Sequence, residues 1–119
     1  MANARVTGIA VDCPDPKALC AFYSTLLEIE PIVEDAVIIA KDDQGSLEMW
    51  FQPVENYAVP TWPTQQRGQQ LHLDIDCDDR EATVARAIEL GARKVDETER
   101  FTVMLDPAGH PFCLCDPHQ

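Results

Sequence analysis

VDCPD, Val11 to Asp15, returns as IDCDD, Ile75 to Asp79, 64 positions later. An alternating apolar run that ends in Asp-Cys and is followed by a further Asp marks the end of a strand and the start of a helix. Its recurrence organises the chain. At the same offset Asp12, Cys13, Asp15 and Ala18 meet identical residues at Asp76, Cys77, Asp79 and Ala82, and Asp42 and Gly45 of DDQG meet Asp106 and Gly109 of DPAG. The secondary-structure pattern repeats along with the letters. Val6 to Cys13 reads as a strand, Pro14-Asp15-Pro16 as a turn and helix start, and Lys17 to Leu27 as a helix. Strands follow near Pro31 to Glu34, Val37 to Lys41 and Leu47 to Gln52. The second half repeats the order with strand Gln70 to Cys77 and helix Arg80 to Leu90, stopped by Gly91, a residue that accepts the left-handed conformation. Strands near Lys94 to Glu97, Thr102 to Leu105 and Phe112 to Cys115 complete it. The expectation is an α+β chain forming a single domain over residues 1–119, with βαβββ modules at 5–52 and 69–116. A linker at 53–68, carrying Pro53, Pro60 and Pro63, joins them.

Composition limits what such a chain can do. Its 119 residues suit one compact domain or two small halves, and 45% hydrophobic residues are ordinary for a globular fold. Nine Lys and Arg against 21 Asp and Glu leave a formal charge of −12, which repels phosphate backbones and anionic membrane surfaces. No nucleic-acid or membrane partner is expected. No apolar run approaches the roughly 20 residues of a membrane span, and MANARVTG lacks the apolar centre of a signal peptide, so the expected location is cytoplasmic. Cys13, Cys20, Cys77, Cys113 and Cys115 are odd in number and show no C-x-x-C spacing, which argues against a disulfide scaffold or zinc knuckle and for buried reduced thiols.

Strand alternation sorts the side chains into two faces. Leu71, Leu73, Ile75 and Cys77 point one way and suit a helix-facing core, while His72, Asp74 and Asp76 point the other. In the first module Ile9, Val11 and Cys13 form the core set, leaving Gly8, Ala10 and Asp12 opposite. The repeated cysteine is then a small apolar filler where a strand meets its helix. The repeated Asp15 and Asp79 are helix caps.

The phrases DCPDPKALCAFYSTLL, LHLDIDCDDREATVARAIELGARKV and VMLDPAGHPFCL resemble the vicinal oxygen chelate superfamily, most closely its glyoxalase-like and bleomycin-resistance-like proteins. The resemblance covers about Val6 to Leu114. It implies two βαβββ modules forming a cup-shaped mixed sheet with helices outside. That fold hosts lyases, dioxygenases, thiol transferases and drug-binding proteins, so it does not by itself fix a function.

The resemblance also implies where ligands would stand. Metal-dependent relatives place one ligand on the first strand and one on the last strand of each module, usually His or Glu. Counting back seven residues from Asp15 and Asp79 gives Gly8 and His72. The last-strand position after Asp-Pro-x-Gly falls at Cys113, where Glu would be usual. For the first module the strict offset gives Met49, but binary patterning favours a shift that buries Leu47, Met49 and Phe51 and aims Glu48, Trp50 and Gln52 into the cup. Glu48, His72 and Cys113 are thus the metal candidates, with Gly8 unable to contribute. The expectation is no cofactor, with a divalent metal (Zn, Ni, Mn or Fe) as the alternative.

The expected ligand-binding set is Glu48, Trp50, Gln52, His72 and Cys113, with Glu48 the candidate general base. His110 and His118, in a turn and a tail, carry no assigned role. Trp50, Phe51, Tyr57 and Trp62 offer either packing or an aromatic wall, and the negative charge would steer a cationic guest such as a glycopeptide antibiotic inward. Arg67 would neutralise an acidic substrate group or stand as a solvated linker charge. Two functions follow: a metal-free protein that binds a small organic molecule, and a divalent-metal enzyme, for which a glyoxalase-type lyase is favoured. Exposed sheet edges in so short a chain point to a homodimer.

Overall fold

The computed structural model describes Asn3 and residues 5–117; His118 lies outside them. The chain divides into two compact units, residues 1–57 and 58–119. The first contains β1 (Gly8–Cys13), α1 (Pro16–Leu26), β2 (Pro31–Val33), β3 (Ala36–Asp42) and β4 (Gly45–Pro53). The second contains β5 (Leu73–Asp76), α2 (Arg80–Glu89), β6 (Arg93–Glu97), β7 (Phe101–Leu105) and β8 (Pro111–Cys115). Each unit is a βαβββ module with a four-stranded mixed sheet, ordered β1-β4-β3-β2 in one and β5-β8-β7-β6 in the other. The first strand pairs with the last in parallel and the remaining pairs are antiparallel.

Both helices begin as the repeated Asp requires. Asp15 and Asp79 are N-caps in extended conformation, and their carboxylates accept from Ala18 N and Ala82 N at 3.2 and 3.0 Å. The repeat of Ala at these third helical positions is therefore a repeat of the capped amide. Pro16 sits in the first turn of α1, where its missing N–H costs no helical hydrogen bond. Gly91 follows α2 with φ +110° and turns the chain into β6.

The core of the first module lies between α1 and its sheet. Leu19, Cys20, Phe22 and Tyr23 recur at helical spacing and are buried, and the Tyr23 ring stacks on Phe51 at 5.8 Å. Val11, Cys13, Met49 and Phe51 meet them from β1 and β4. In the second module Ala87 is the fully buried helix residue, and Met104, Phe112 and Leu114 form the sheet's share. Cys13 and Cys77 occupy equivalent buried positions, as core filler should.

Two differences from the sequence reading have local causes. The strand expected over Gln70 to Cys77 is paired only over Leu73–Asp76, so His72 stands one residue before it. Its partner strand opens with Pro111, which has no N–H to extend the ladder. The second difference concerns the turns. Asp42 pairs with Gly45 around a two-residue hairpin turn, whereas Leu105 pairs with Pro111 around residues 106–110. In that longer turn the buried Asp106 carboxylate accepts from Ala108 N at 2.8 Å and His110 N at 3.0 Å, and His110 itself is buried. The matching Asp and Gly letters at offset 64 are thus turn chemistry of two different lengths.

Candidate functional site

Turn length decides which residues are equivalent in the two sheets. Gly8 lies opposite Glu48, Ala10 opposite Trp50 and Asp12 opposite Gln52. In the second sheet Asp74 lies opposite Cys113 and Asp76 opposite Cys115. Since Ala10 and Asp74 hold the same distance from their helix caps, Trp50 is the counterpart of Cys113, and Glu48 is the counterpart of Pro111. The alternation reading had the face of β4 right: Met49 and Phe51 are buried, while Glu48, Trp50 and Gln52 share the other side. The residue matched to Cys113, however, is Trp50 rather than Glu48.

On the first module the Trp50 indole N–H donates to Glu48 Oε1 at 2.8 Å, and 42% of Trp50 is exposed. Carboxylate and indole therefore act as one amphipathic unit. Gly8 stands beside them, where an added Cβ would lie 3.5 Å from Glu48 O and 3.8 Å from Trp50 Cδ1, ordinary contact distances. Phe51 leaves the expected aromatic cluster for the core.

On the second module His72 Nε2 lies 3.0 Å from Cys113 Sγ and 3.2 Å from Asp74 Oδ1, while Nδ1 lies 3.3 Å from Gln69 Oε1. Cys113 is 5% exposed, and burial, reinforced by Cys115 and Asp74, pushes its thiol up to about 11. Cys115 is raised by burial and by Asp74 and Asp76 of β5. Asp74 was not among the sequence-derived candidates, although alternation had already set it on the His72 face. Arg67 is committed elsewhere: its Nε donates to Val59 O at 2.7 Å and its backbone N–H to Thr61 Oγ1 at 3.0 Å, closing a loop of the linker.

The four-ligand metal arrangement implied by the resemblance does not fit this chain. Gly8 has no side chain to offer, and the first-module counterpart of Cys113 is an indole, which donates only through N–H. Glu48 remains as a carboxylate one ladder step away, turned to its own tryptophan.

The glyoxalase-like domain model matches residues 8–115, nearly the whole of both modules. The chain belongs to the glyoxalase-like domain family. Solved structures share the fold at low identity. A glyoxalase/bleomycin resistance protein from Albidiferax ferrireducens is 16% identical, with 93% of this chain and 98% of that one covered and a TM-score of 0.62. A glyoxalase/bleomycin resistance protein/dioxygenase family enzyme from Burkholderia phytofirmans is 20% identical over 95% and 98% of the two chains, with a TM-score of 0.61. An antibiotic binding protein from a Streptomyces species is 19% identical over 99% of each chain, with a TM-score of 0.55. No curated protein matches. Among the described residues, no helix of this glyoxalase-like protein is long and apolar enough to cross a membrane.

Proposed function

We propose that this glyoxalase-like protein binds a small organic molecule and does so without the four-ligand metal centre of its metal-dependent relatives. What supports the reading is that Gly8 has no side chain to offer a metal and that the strand register sets the Trp50 indole, rather than Glu48, at the place matching Cys113. What stands there instead is an exposed indole hydrogen-bonded to a carboxylate, the mixed apolar and polar make-up of a small-ligand surface. The antibiotic binding protein with the same fold lends support to this class of guest. Glu48, Trp50 and Gln52 are proposed as one set of contacts within the first module, and His72 and Cys113 as a separate set within the second. The charge of −12 favours a cationic or zwitterionic aromatic guest over an anionic one.

The test uses metal-free protein and a panel of aromatic and glycopeptide antibiotics, bleomycin among them, with binding read by calorimetry. For any guest that binds, His72→Ala combined with Glu48→Ala, which removes the candidate hydrogen-bonding group of each module at once, should weaken affinity by about 1 kcal/mol or more, the scale for losing one buried hydrogen bond. Far-UV circular dichroism should be unchanged, because neither side chain belongs to a helix-facing core. Normal binding by the double variant would remove both residues from the site. A hydrolytic or lyase activity that needs added metal and is lost in Glu48→Gln would replace the binding reading with the enzymatic one.

A further inference from the structure

Basic side chains are scarce in this chain, and most of them are committed. Lys17, Arg80, Arg86 and Lys94 each pair with an acidic side chain, and Arg67 donates to the Val59 carbonyl oxygen. Arg5 and Lys41 are exposed, and among the described residues neither side chain has an ion-pair or hydrogen-bond partner. Both line one cavity of about 280 Å³. It lies within the first module, where the segment before β1 passes the β3–β4 hairpin. Thr7 O accepts from Glu48 N at 3.0 Å and so holds that segment, with Arg5, against β4. On the hairpin Ala40 lies opposite Leu47 and Lys41 opposite Ser46. The turn between them is fixed by Asp42, whose Oδ1 accepts from Gln44 N at 2.8 Å.

We propose that this cavity binds a small organic monocarboxylate, with Arg5 and Lys41 holding the carboxylate and Val6, Ala40 and Leu47 receiving its apolar body. A guanidinium presents paired N–H donors that match two carboxylate oxygens, and an ammonium adds a mobile point charge. Val6 is 77% exposed and Leu47 half-buried, so apolar surface stands open beside the two cations. Charge selects among anions. Arg5 and Lys41 against Asp42 leave a single net positive charge on the lining, and one Asp42 oxygen is already turned to the Gln44 amide. That surplus suits a monoanion. A phosphate dianion would exceed it, and Asp43 at the hairpin tip would oppose the dianion further. The chain as a whole, at −12, repels anions, so capture depends on this local pair acting at short range. The volume lies just below the roughly 300 Å³ at which small-molecule sites begin, which limits the guest to a short-chain or single-ring acid. The site uses none of the residues proposed for the organic guest and does not rest on that reading.

The experiment follows backbone amide NMR signals of the isotope-labelled full chain at low ionic strength. Butanoate, hexanoate, benzoate and phenylacetate are titrated in turn, each beside its neutral amide and beside inorganic phosphate. The expected result is saturable shifts with at least one acid, centred on Val6, Lys41, Gln44 and Ser46 and weakened by physiological salt. The matching amide and phosphate should both bind more weakly than the acid. Arg5→Gln and Lys41→Gln should each weaken binding by about threefold or more, the scale of a solvent-exposed ion pair, and the double variant by about tenfold. All three substitutions are at the surface and should leave the spectrum of the core unchanged. Lys17→Gln and Arg93→Gln, which remove the same charge elsewhere, should change nothing. Absence of saturable shifts with all four acids, equal affinity for acid and amide, or undiminished binding in the double variant overturns the proposal. Tighter binding of phosphate overturns the choice of a monocarboxylate, and shifts centred on Trp50 and Gln52 overturn the site in favour of the other surface of the first module.

Discussion

A cysteine repeated at a strand end invites a chemical reading, and its surroundings here supply a structural one. Cys13 is fully buried with its thiol 3.7 Å from Gln52 O, and Cys77 is buried with its thiol 3.5 Å from Ile75 O. Replacement of either by Ala or Val should cost about 1 to 3 kcal/mol, through a small cavity or mild overpacking, and leave guest binding unchanged. Urea unfolding and calorimetry on the same variants check both halves of that statement. Cys77 adds a pH signature. Burial raises its thiol above the ordinary value of 9.0, so just above that pH the unfolded chain has lost a proton that the folded chain keeps. Stability then falls as pH rises through that window, and Cys77→Ala should flatten part of the fall. A variant that lost binding at unchanged stability would contradict the filler role. The candidate site residues were legible to a different degree. Alternation placed His72 and Asp74 on one face from sequence alone, but selecting only the positions matched to the family's ligands passed over Asp74. Its significance lies in the pairing of β5 with β8, which sets it opposite Cys113 and which no local pattern encodes.

Helix starts were the most legible elements, because capping is local chemistry. Each Asp reaches an amide three residues ahead, so its identity and spacing suffice to place the helix. Asp79→Ala should lower stability by about 1 kcal/mol, and Asp79→Asn or Asp79→Ser should restore most of it, since the side-chain oxygen is what the Ala82 amide needs. Asp15→Ala should cost the same or less, because Pro16 still fixes the first backbone angle of α1. Denaturant midpoints at constant slope measure these changes, and an unchanged midpoint in Asp79→Ala would mean that the cap contributes nothing to folding. Strand register was less legible for the opposite reason. DDQG and DPAG share turn residues at the same offset, yet one closes a two-residue turn and the other spans residues 106–110 with Asp106 buried at its centre. Register follows the number of residues between paired strands. Letters that satisfy two turn types do not report that number.

At the scale of the molecule, the question is what covers the apolar side chains that the two sheets leave in water. β2 ends the first sheet and consists of only Pro31–Val33, with Ile32 and Val33 42% and 48% exposed. So short a strand led by a proline is a poor template for ladder extension, which is how edges are usually protected. Side-chain contact remains open to it, and two neighbouring branched apolar residues at a sheet edge gain from being covered by a second copy. A symmetric homodimer is therefore the expected assembly. The charge of −12 per chain opposes it, so association should strengthen with salt as the mutual repulsion of the two copies is screened. Sedimentation equilibrium across micromolar to near-millimolar protein, at low and at physiological ionic strength, measures both effects. A dimer that tightens with salt and is weakened by Val33→Lys would place β2 in the contact. A dimer indifferent to Val33→Lys would put the interface on another surface, and a monomer across the whole range would show that these side chains remain in water.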